Sequence, residues 1–221
     1  MDAASPVAAA TPEERRAQRR AARIADNRAD ILDAAEHAFA ERGLTDASLR
    51  DIAKQAGFST AAIYNYFDSK QHLLAETLAR RGVELLDVIE RAAASESTPM
   101  AQLHAIVDAT VAFFQTYPSF RRILRHARES DEVIAAVLSD HVDDQADLFP
   151  QTLRVMTQIV EEGQRQGDIR HGSASALTHL YMTLVYEHVF LMASENPADT
   201  LTLDEFQDLI DGALRTRRRR G

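Results

Sequence analysis

The stretch Ser48-Leu49-Arg50-Asp51-Ile52-Ala53-Lys54-Gln55-Ala56-Gly57-Phe58-Ser59-Thr60-Ala61-Ala62-Ile63-Tyr64-Asn65-Tyr66-Phe67-Asp68-Ser69-Lys70 decides the fold. Ser48 is a hydroxyl cap ahead of a short helix that ends near Ala56, and Gly57 makes the turn. Ser59 caps a second short helix through Tyr66 or Phe67, and Ser69 caps a longer one. Leu49, Ile52, Ala53, Ile63 and Phe67 are spaced to bury one side of both short helices. Two short helices on a glycine turn form a helix-turn-helix, whose second helix can enter a major groove. Its other side offers Ser59, Thr60, Ala61, Tyr64, Asn65 and Tyr66, small or hydrogen-bonding groups that can approach a duplex closely. Asn65 can pair bidentately with adenine, and tyrosine hydroxyls can hold phosphate oxygens. Lys70 adds a point charge near the backbone. The same spacing occurs in helical proteins that never meet DNA, so spacing alone leaves both readings open.

Outward from this stretch the signals are helical throughout. Thr11-Pro12-Glu13-Glu14 reads as a capping box that opens an Arg/Ala-rich run to Ile24 with almost no apolar face. Such a helix has little to pack on, so residues 1–24 are expected to be a flexible arm, with arginines 15, 16, 19, 20 and 23 able to reach a minor groove. Ile31, Ala34, Ala35, Ala38 and Phe39 predict a first packed helix over about 27–42, stopped by Gly43. After Ser69 a long helix runs to about Ala94. Thr98-Pro99 opens a fifth, closed by Tyr117-Pro118, and Ser119–Arg128 is a short sixth. Residues 131–162 are helical with a kink or break expected at Pro150, and the Gly163 to Asp168 stretch ends that segment. Two further helices are expected over about 173–194 and 203–217. No segment of any length alternates like a strand. The chain is therefore expected to be all-α, with nine to ten helices.

The residues of the opening stretch resemble a family. Ser48-Leu49-Arg50-Asp51-Ile52-Ala53, Ala56-Gly57-Phe58-Ser59, Ile63-Tyr64-Asn65-Tyr66-Phe67, Ser69-Lys70 and Leu73-Leu74 look like the DNA-binding domain of TetR-type transcriptional regulators. Ile31-Leu32-Asp33-Ala34-Ala35 and Phe39-Ala40-Glu41-Arg42-Gly43 are similar to that family's first helix. The resemblance covers about Arg28–Thr77. Asp68 stands where proline is frequent and Gln71 where glutamate is frequent. The resemblance implies a three-helix DNA-binding domain over 25–72 and a larger helical domain over 73–217 for ligand binding and dimerisation, with a basic tail over 218–221. It implies a homodimer on a near-palindromic operator in double-stranded DNA, usually a repressor, released by a small effector. Carried onto this chain, Tyr64 and Lys70 would hold phosphates. Ser59, Thr60, Ala61, Asn65 and Tyr66 would lie at or near base edges. Ser48 and Arg50 would contact the flanking backbone.

Composition narrows the alternatives. The 221 residues carry a net charge of −9 and no cysteine, which excludes disulfides, thiol catalysis and cysteine-held metals. The charge is uneven. Glu13–Lys70 balances 10 basic against 10 acidic residues, whereas Gln71–Leu214 holds 10 basic and 23 acidic. An acidic body behind a neutral head suits a protein whose head alone approaches a polyanion. No hydrolase elbow, phosphate loop or zinc-protease motif is present, so no enzyme activity is expected. His141 with Asp143 and Asp144, and His179 with His188, lack ligand spacing, so neither a metal nor a cofactor is expected. Leu180–Ala193 is too short and polar to span a bilayer, and Met1–Ala10 lacks the marks of a signal peptide. A cytoplasmic protein without membrane contact is expected.

In the body, the helix near 173–194 is apolar almost all round and must be covered on both sides. With the last helix it could form a four-helix interface between two copies. The candidates for that interface are Met182, Val189, Phe190, Leu203, Phe206 and Ile210. Candidate effector contacts are His104, Val107, Val111, Phe114, Met156, Tyr181 and His188, which combine apolar bulk with a few polar tips and so point to a lipophilic effector. The competing readings are a dimeric helical adaptor without specific DNA binding, and a regulator acting as an activator. The Arg217–Arg220 cluster reads as a solvated end, because the family's C-terminus lies far from DNA.

Overall fold

The computed structural model describes residues 11–128, 148–192 and 200–216. Among them are nine helices: α1 (Pro12–Asp46), α2 (Leu49–Ala56), α3 (Thr60–Ile63), α4 (Lys70–Ala94), α5 (Pro99–Thr116), α6 (Pro118–Arg128), α7 (Leu148–Gln166), α8 (Ala174–Leu191) and α9 (Leu203–Leu214). No strand occurs among these residues. One isolated antiparallel bridge joins Ile169 to Arg215 and ties the end of α9 to the turn after α7. The expected all-α class is observed.

The apolar residues collect into two cores. The head core holds Ile31, Phe39, Ile52, Ile63, Phe67 and Leu73, all essentially inaccessible. The body core holds Ile89, Leu103, Val107, Phe114, Val160, Tyr181, Val189 and Ile210. Two helices belong to both. α4 gives Leu73 and Leu74 to the head and Leu85 and Ile89 to the body. α6 gives Ile123 and Ala127 to the head, Phe120 to the body core and Leu124 to its edge. Burying a side chain of this size stabilises by about 1.5–3 kcal/mol, so each shared helix is held from two directions.

A buried ion network reinforces the junction. Glu36 of α1 is almost fully buried and accepts from Arg80 Nη2 at 3.0 Å and Arg81 Nε at 2.8 Å, both on α4. Arg80 also pairs with Asp33, and Arg81 with Glu84. The Arg81 guanidinium lies 4.0 Å from the centroid of the Tyr117 ring, at the end of α5.

Three local expectations are revised. Helix α1 does not begin near Asn27. The Thr11 capping box forms as the sequence suggests, and the helix then runs without a break from Pro12 to Arg42. Residues 12–24 are thus an exposed helical extension, because their propensity and cap suffice without an apolar face. Gly43, at φ +78, interrupts the helix one turn before its end. Pro150 falls in the first turn of α7, where its missing N–H leaves no hydrogen bond unmade. The segment before it lies outside the described residues, as do the Asn196–Asp199 loop, the His141–Asp144 cluster and the Arg217–Arg220 tail. Gly163 lies inside α7 rather than ending it. A Cβ there would meet Ile169 Cδ1 at 2.5 Å, so the glycine admits the returning chain, and Gly167 at φ +80 makes the turn.

Candidate nucleic-acid interface

The α2–α3 unit is built by its caps. The Ser48 hydroxyl accepts from the Asp51 N–H at 3.2 Å and donates to the Asp51 carboxylate at 2.8 Å. Arg42 pairs with the same carboxylate. The Ser48 hydrogen bond, with Arg42 behind it, holds the Asp51 carboxyl below the usual range. Gly57 takes the left-handed conformation at φ +78, and the Phe58 N–H closes on the Ala53 carbonyl at 2.8 Å. Only a residue without a Cβ adopts this backbone freely. The Ser59 hydroxyl then accepts from the Ala62 N–H at 3.1 Å and starts α3. Helix α3 is shorter than the sequence suggests. Its regular part ends at Ile63, and Tyr64–Tyr66 continue as tight turns.

The inner side of this unit is Ile52, Ala53, Ile63 and Phe67, all buried. The outer side presents Ser59, Ala61, Tyr64 and Asn65 to solvent, with Thr60 half-buried and Tyr64 54% exposed. Between α2 and the start of α3 runs a groove of about 630 Å³, lined by Ser48, Arg50, Asp51, Ala53, Lys54, Phe58, Ser59 and Thr60. Arg50 and Lys54 are its cations. Lys54 carries no signal in the spacing and is not among the expected contacts.

Two expected contacts have other partners. The Tyr66 hydroxyl accepts from Asn27 Nδ2 at 2.9 Å, and its ring meets Phe58 edge-on at 6.4 Å. Tyr66 is therefore turned towards α1 rather than standing with Tyr64 and Asn65. The Lys70 ammonium donates to the carbonyls of Thr45 at 2.8 Å and Ala47 at 3.1 Å. It clasps the corner between α1 and α2 while keeping its charge at the edge of the head. Asn27 and Lys70 meet partners 39 and 23–25 residues away, which no local pattern reveals.

The body candidates are placed differently. Val107, Val111, Phe114, Met156, Tyr181 and His188 are all buried in the body core, and His104 sits at its edge. The Tyr181 hydroxyl donates to the Leu103 carbonyl at 2.7 Å, and burial raises its pKa. The His188 ring stacks on Phe206 at 4.2 Å, and burial holds its pKa below the ordinary value. His104 Nε2 lies 2.9 Å from Asp211 Oδ1 and links α5 to α9.

Of the residues expected at a dimer interface, Met182, Val189, Phe206 and Ile210 are buried within the single chain, and Phe190 and Leu203 are half-buried. The outward apolar residues of α8 and α9 are instead Leu180, 61% exposed, with Leu191 and Leu209. The pattern shows that α8 needs cover on both sides, but an all-round apolar helix does not reveal which side faces home. Among the described residues no helix is long and apolar enough to cross a membrane.

Comparison with known proteins bears on this geometry directly. Residues 31–77 match the family model described as bacterial regulatory proteins, tetR family. The transcriptional repressor KstR2 of Rhodococcus jostii is 29% identical over 143 residues, covering 65% of this chain and 68% of that protein. The transcriptional repressor AcnR of Corynebacterium glutamicum is 23% identical over 193 residues, covering 87% and 94%. Among solved structures, the fatty acid degradation regulator FadR of Bacillus halodurans superposes with a TM-score of 0.72 at 20% identity, covering 86% of this chain and 97% of that one. FadR of Bacillus subtilis, solved in complex with stearoyl-CoA, gives a TM-score of 0.71 at 19% identity, covering 83% and 97%. These relatives are named as regulators, not as enzymes.

Proposed function

We propose that this chain is a TetR-type DNA-binding transcriptional regulator, as its match over residues 31–77 and its likeness to KstR2 and AcnR support, and that it is a ligand-released repressor that binds a near-palindromic operator as a homodimer. The observation that carries the reading is the division of α2–α3 into two sides. Ile52, Ile63 and Phe67 anchor the unit, while Ser59, which also caps α3, and Ala61, Tyr64 and Asn65 are exposed. Small residues and one amide at the front let the backbone approach base edges, and Tyr64 lies within reach of phosphate. Arg50 and Lys54 flank the groove as backbone cations. The repressor role follows the names of KstR2 and AcnR.

The dimer is assigned to α8 and α9 through their outward leucines, Leu180, Leu191 and Leu209. Two recognition helices would then lie about 34–36 Å apart, or a multiple of that, along one face of the duplex. An apolar effector fits a body whose candidate contacts are Phe114, Met156, Val107 and Tyr181. Cytoplasmic residence follows from contact with DNA.

Fluorescence anisotropy against a duplex recovered from the promoter next to the gene tests this reading. Binding is expected to exceed that to scrambled DNA and to weaken as salt rises, because counterions return to the DNA. Equal affinity for both duplexes refutes specific regulation. Native mass spectrometry reports the dimer, and Leu180→Glu is expected to shift it to monomer. A wild-type monomer at micromolar concentration refutes palindromic reading.

A further inference from the structure

Helix α6 holds an unusual concentration of cations. Its eleven residues, Pro118–Arg128, include Arg121, Arg122, Arg125 and Arg128 and no carboxylate. These are four of the ten basic residues between Gln71 and Leu214, a stretch with 23 acidic ones. The α4 arginines Arg80, Arg81 and Arg91 all have carboxylate partners. Among the described residues none pairs with Arg121, Arg122 or Arg125.

Arg121 is half-buried, and its Nε is buried without a hydrogen-bond partner. An unsatisfied buried donor on a cation is costly, so its persistence calls for an explanation. Burial, and the nearby charges of Arg122 and Arg125, make the cationic form less comfortable still. A guanidinium does not escape by losing its proton. Among the described residues no carboxylate faces it, and an oxyanion is the group that would satisfy it.

The neighbourhood indicates where that anion would sit. Phe120, next in the chain, stacks on Phe114 at 5.7 Å with the rings 3° from parallel. Arg121 donates its backbone N–H to the Tyr117 carbonyl, and the Tyr117 ring packs on Phe113 at 4.7 Å. Leu124, one turn on, packs against the body core. Arg121 thus follows this aromatic cluster directly in the chain, with Arg125 one turn further along the same side of α6. One turn before Phe114, the Thr110 hydroxyl oxygen is also buried without a partner; the third such atom among the described residues, Arg80 Nε, belongs to a guanidinium already held by Asp33 and Glu36.

We propose that Arg121, supported by Arg125, is the anion subsite of the effector site, holding the carboxylate or phosphate of an amphipathic effector whose apolar body lies against Phe114 and Phe120. The assignment rests on the ligand-released reading above and gives its effector a chemical class. A bidentate oxyanion satisfies the fork of Arg121 and neutralises the repulsion along α6. The opposite side of α6 carries Ile123 and Ala127 into the head core, so an anion bound here acts on a helix shared with the DNA-binding domain.

Thermal unfolding of the full chain in inorganic phosphate and pyrophosphate, against chloride at equal ionic strength, tests the subsite. The wild type is expected to gain about 2–4 °C in Tm, and Arg121→Met to gain nothing. Without added anion, Arg121→Met is expected to unfold at the same temperature as wild type or higher, because a half-buried unpaired charge has been removed. Dodecanoate or dodecyl phosphate is expected to bind at least about tenfold more tightly than dodecanol, a gap of one pK unit in affinity that Arg121→Met closes. The tighter of the two anions names the headgroup. An unmoved wild-type Tm, a response retained in Arg121→Met, or equal affinity for acid and alcohol overturns the proposal. So does a loss of duplex affinity in Arg121→Met without any anion response, which would give these arginines to the DNA backbone. If the anion response stands but no amphiphile changes duplex affinity, the subsite survives and ligand release does not.

Discussion

In the head, Ile52, Ile63 and Phe67 are buried while Tyr64 and Asn65 stand outside the fold. In the body, the residues put forward for ligand contact, Val107, Phe114, Met156 and Tyr181, are themselves the core. On the proposed function, recognition and stability rest on different side chains in the head and on the same ones in the body. The head can change its DNA sequence preference by exchanging exposed tips. The body cannot change its ligand without repacking, and a ligand that enters it must displace contacts that hold the fold. That is a physical route from effector binding to a shift in structure.

Substitutions can break or sharpen this contrast. The largest expected effect is Phe114→Ala, a loss of about 3–5 kcal/mol in chemical denaturation, from lost burial plus a cavity. Mild destabilisation would show that this part of the body already has room for a ligand. Next is Glu36→Ala, which leaves Arg80 and Arg81 facing each other without their shared carboxylate. A loss of about 3 kcal/mol is expected. Head and body are then expected to unfold less cooperatively, visible as non-coincident circular dichroism and tyrosine fluorescence transitions.

A smaller effect depends on pH. Burial holds His188 below its ordinary value, so the unfolded chain takes the proton first as pH falls. The contribution of His188 is complete above about pH 6.5 and declines below it. His188→Gln is expected to flatten the fall of unfolding free energy as pH drops below about 6.5. An unchanged slope would contradict a neutral, buried ring on Phe206. Smallest in stability are Tyr64→Phe and Asn65→Ala, expected within about 0.5 kcal/mol of wild type. Their effect is expected on DNA. Tyr64→Phe weakens every duplex alike, and Asn65→Ala relaxes base preference by about 1–3 kcal/mol at one position. Stability losses of body size at either residue would erase the contrast.

The parts of the fold legible in the sequence are those set by neighbours in the chain. Thr11, Ser48, Ser59, Ser69 and Thr98 each cap the helix that the spacing assigns to them. Gly57 takes the left-handed turn its position suggests. The contents of the head core follow from helical periodicity. What local pattern misses is set by distant partners. Lys70 reads as a point charge near the DNA backbone, and its clasp on Thr45 and Ala47 depends on how α4 returns to α1. Tyr66 reads as a third outward residue, and Asn27 draws it aside. On α8, periodicity gives no direction, so Met182 and Val189 were expected outward where Leu180 and Leu191 stand. The continuity of α1 through residues 12–24 escapes local pattern for the opposite reason: cap and propensity carry it without an apolar face.

The central claim is that this head reads DNA sequence as one half of a two-fold pair. The most direct test is selection of duplexes from a random-sequence library by the purified full chain, followed by sequencing of the bound fraction. The account predicts enrichment of an inverted repeat whose half-sites are centred about one helical turn, or a multiple, apart. It also predicts loss of the preference at one position of each half-site with Asn65→Ala. A bound fraction with no enriched sequence, or a single unpaired site that Asn65→Ala reads equally well, would contradict it.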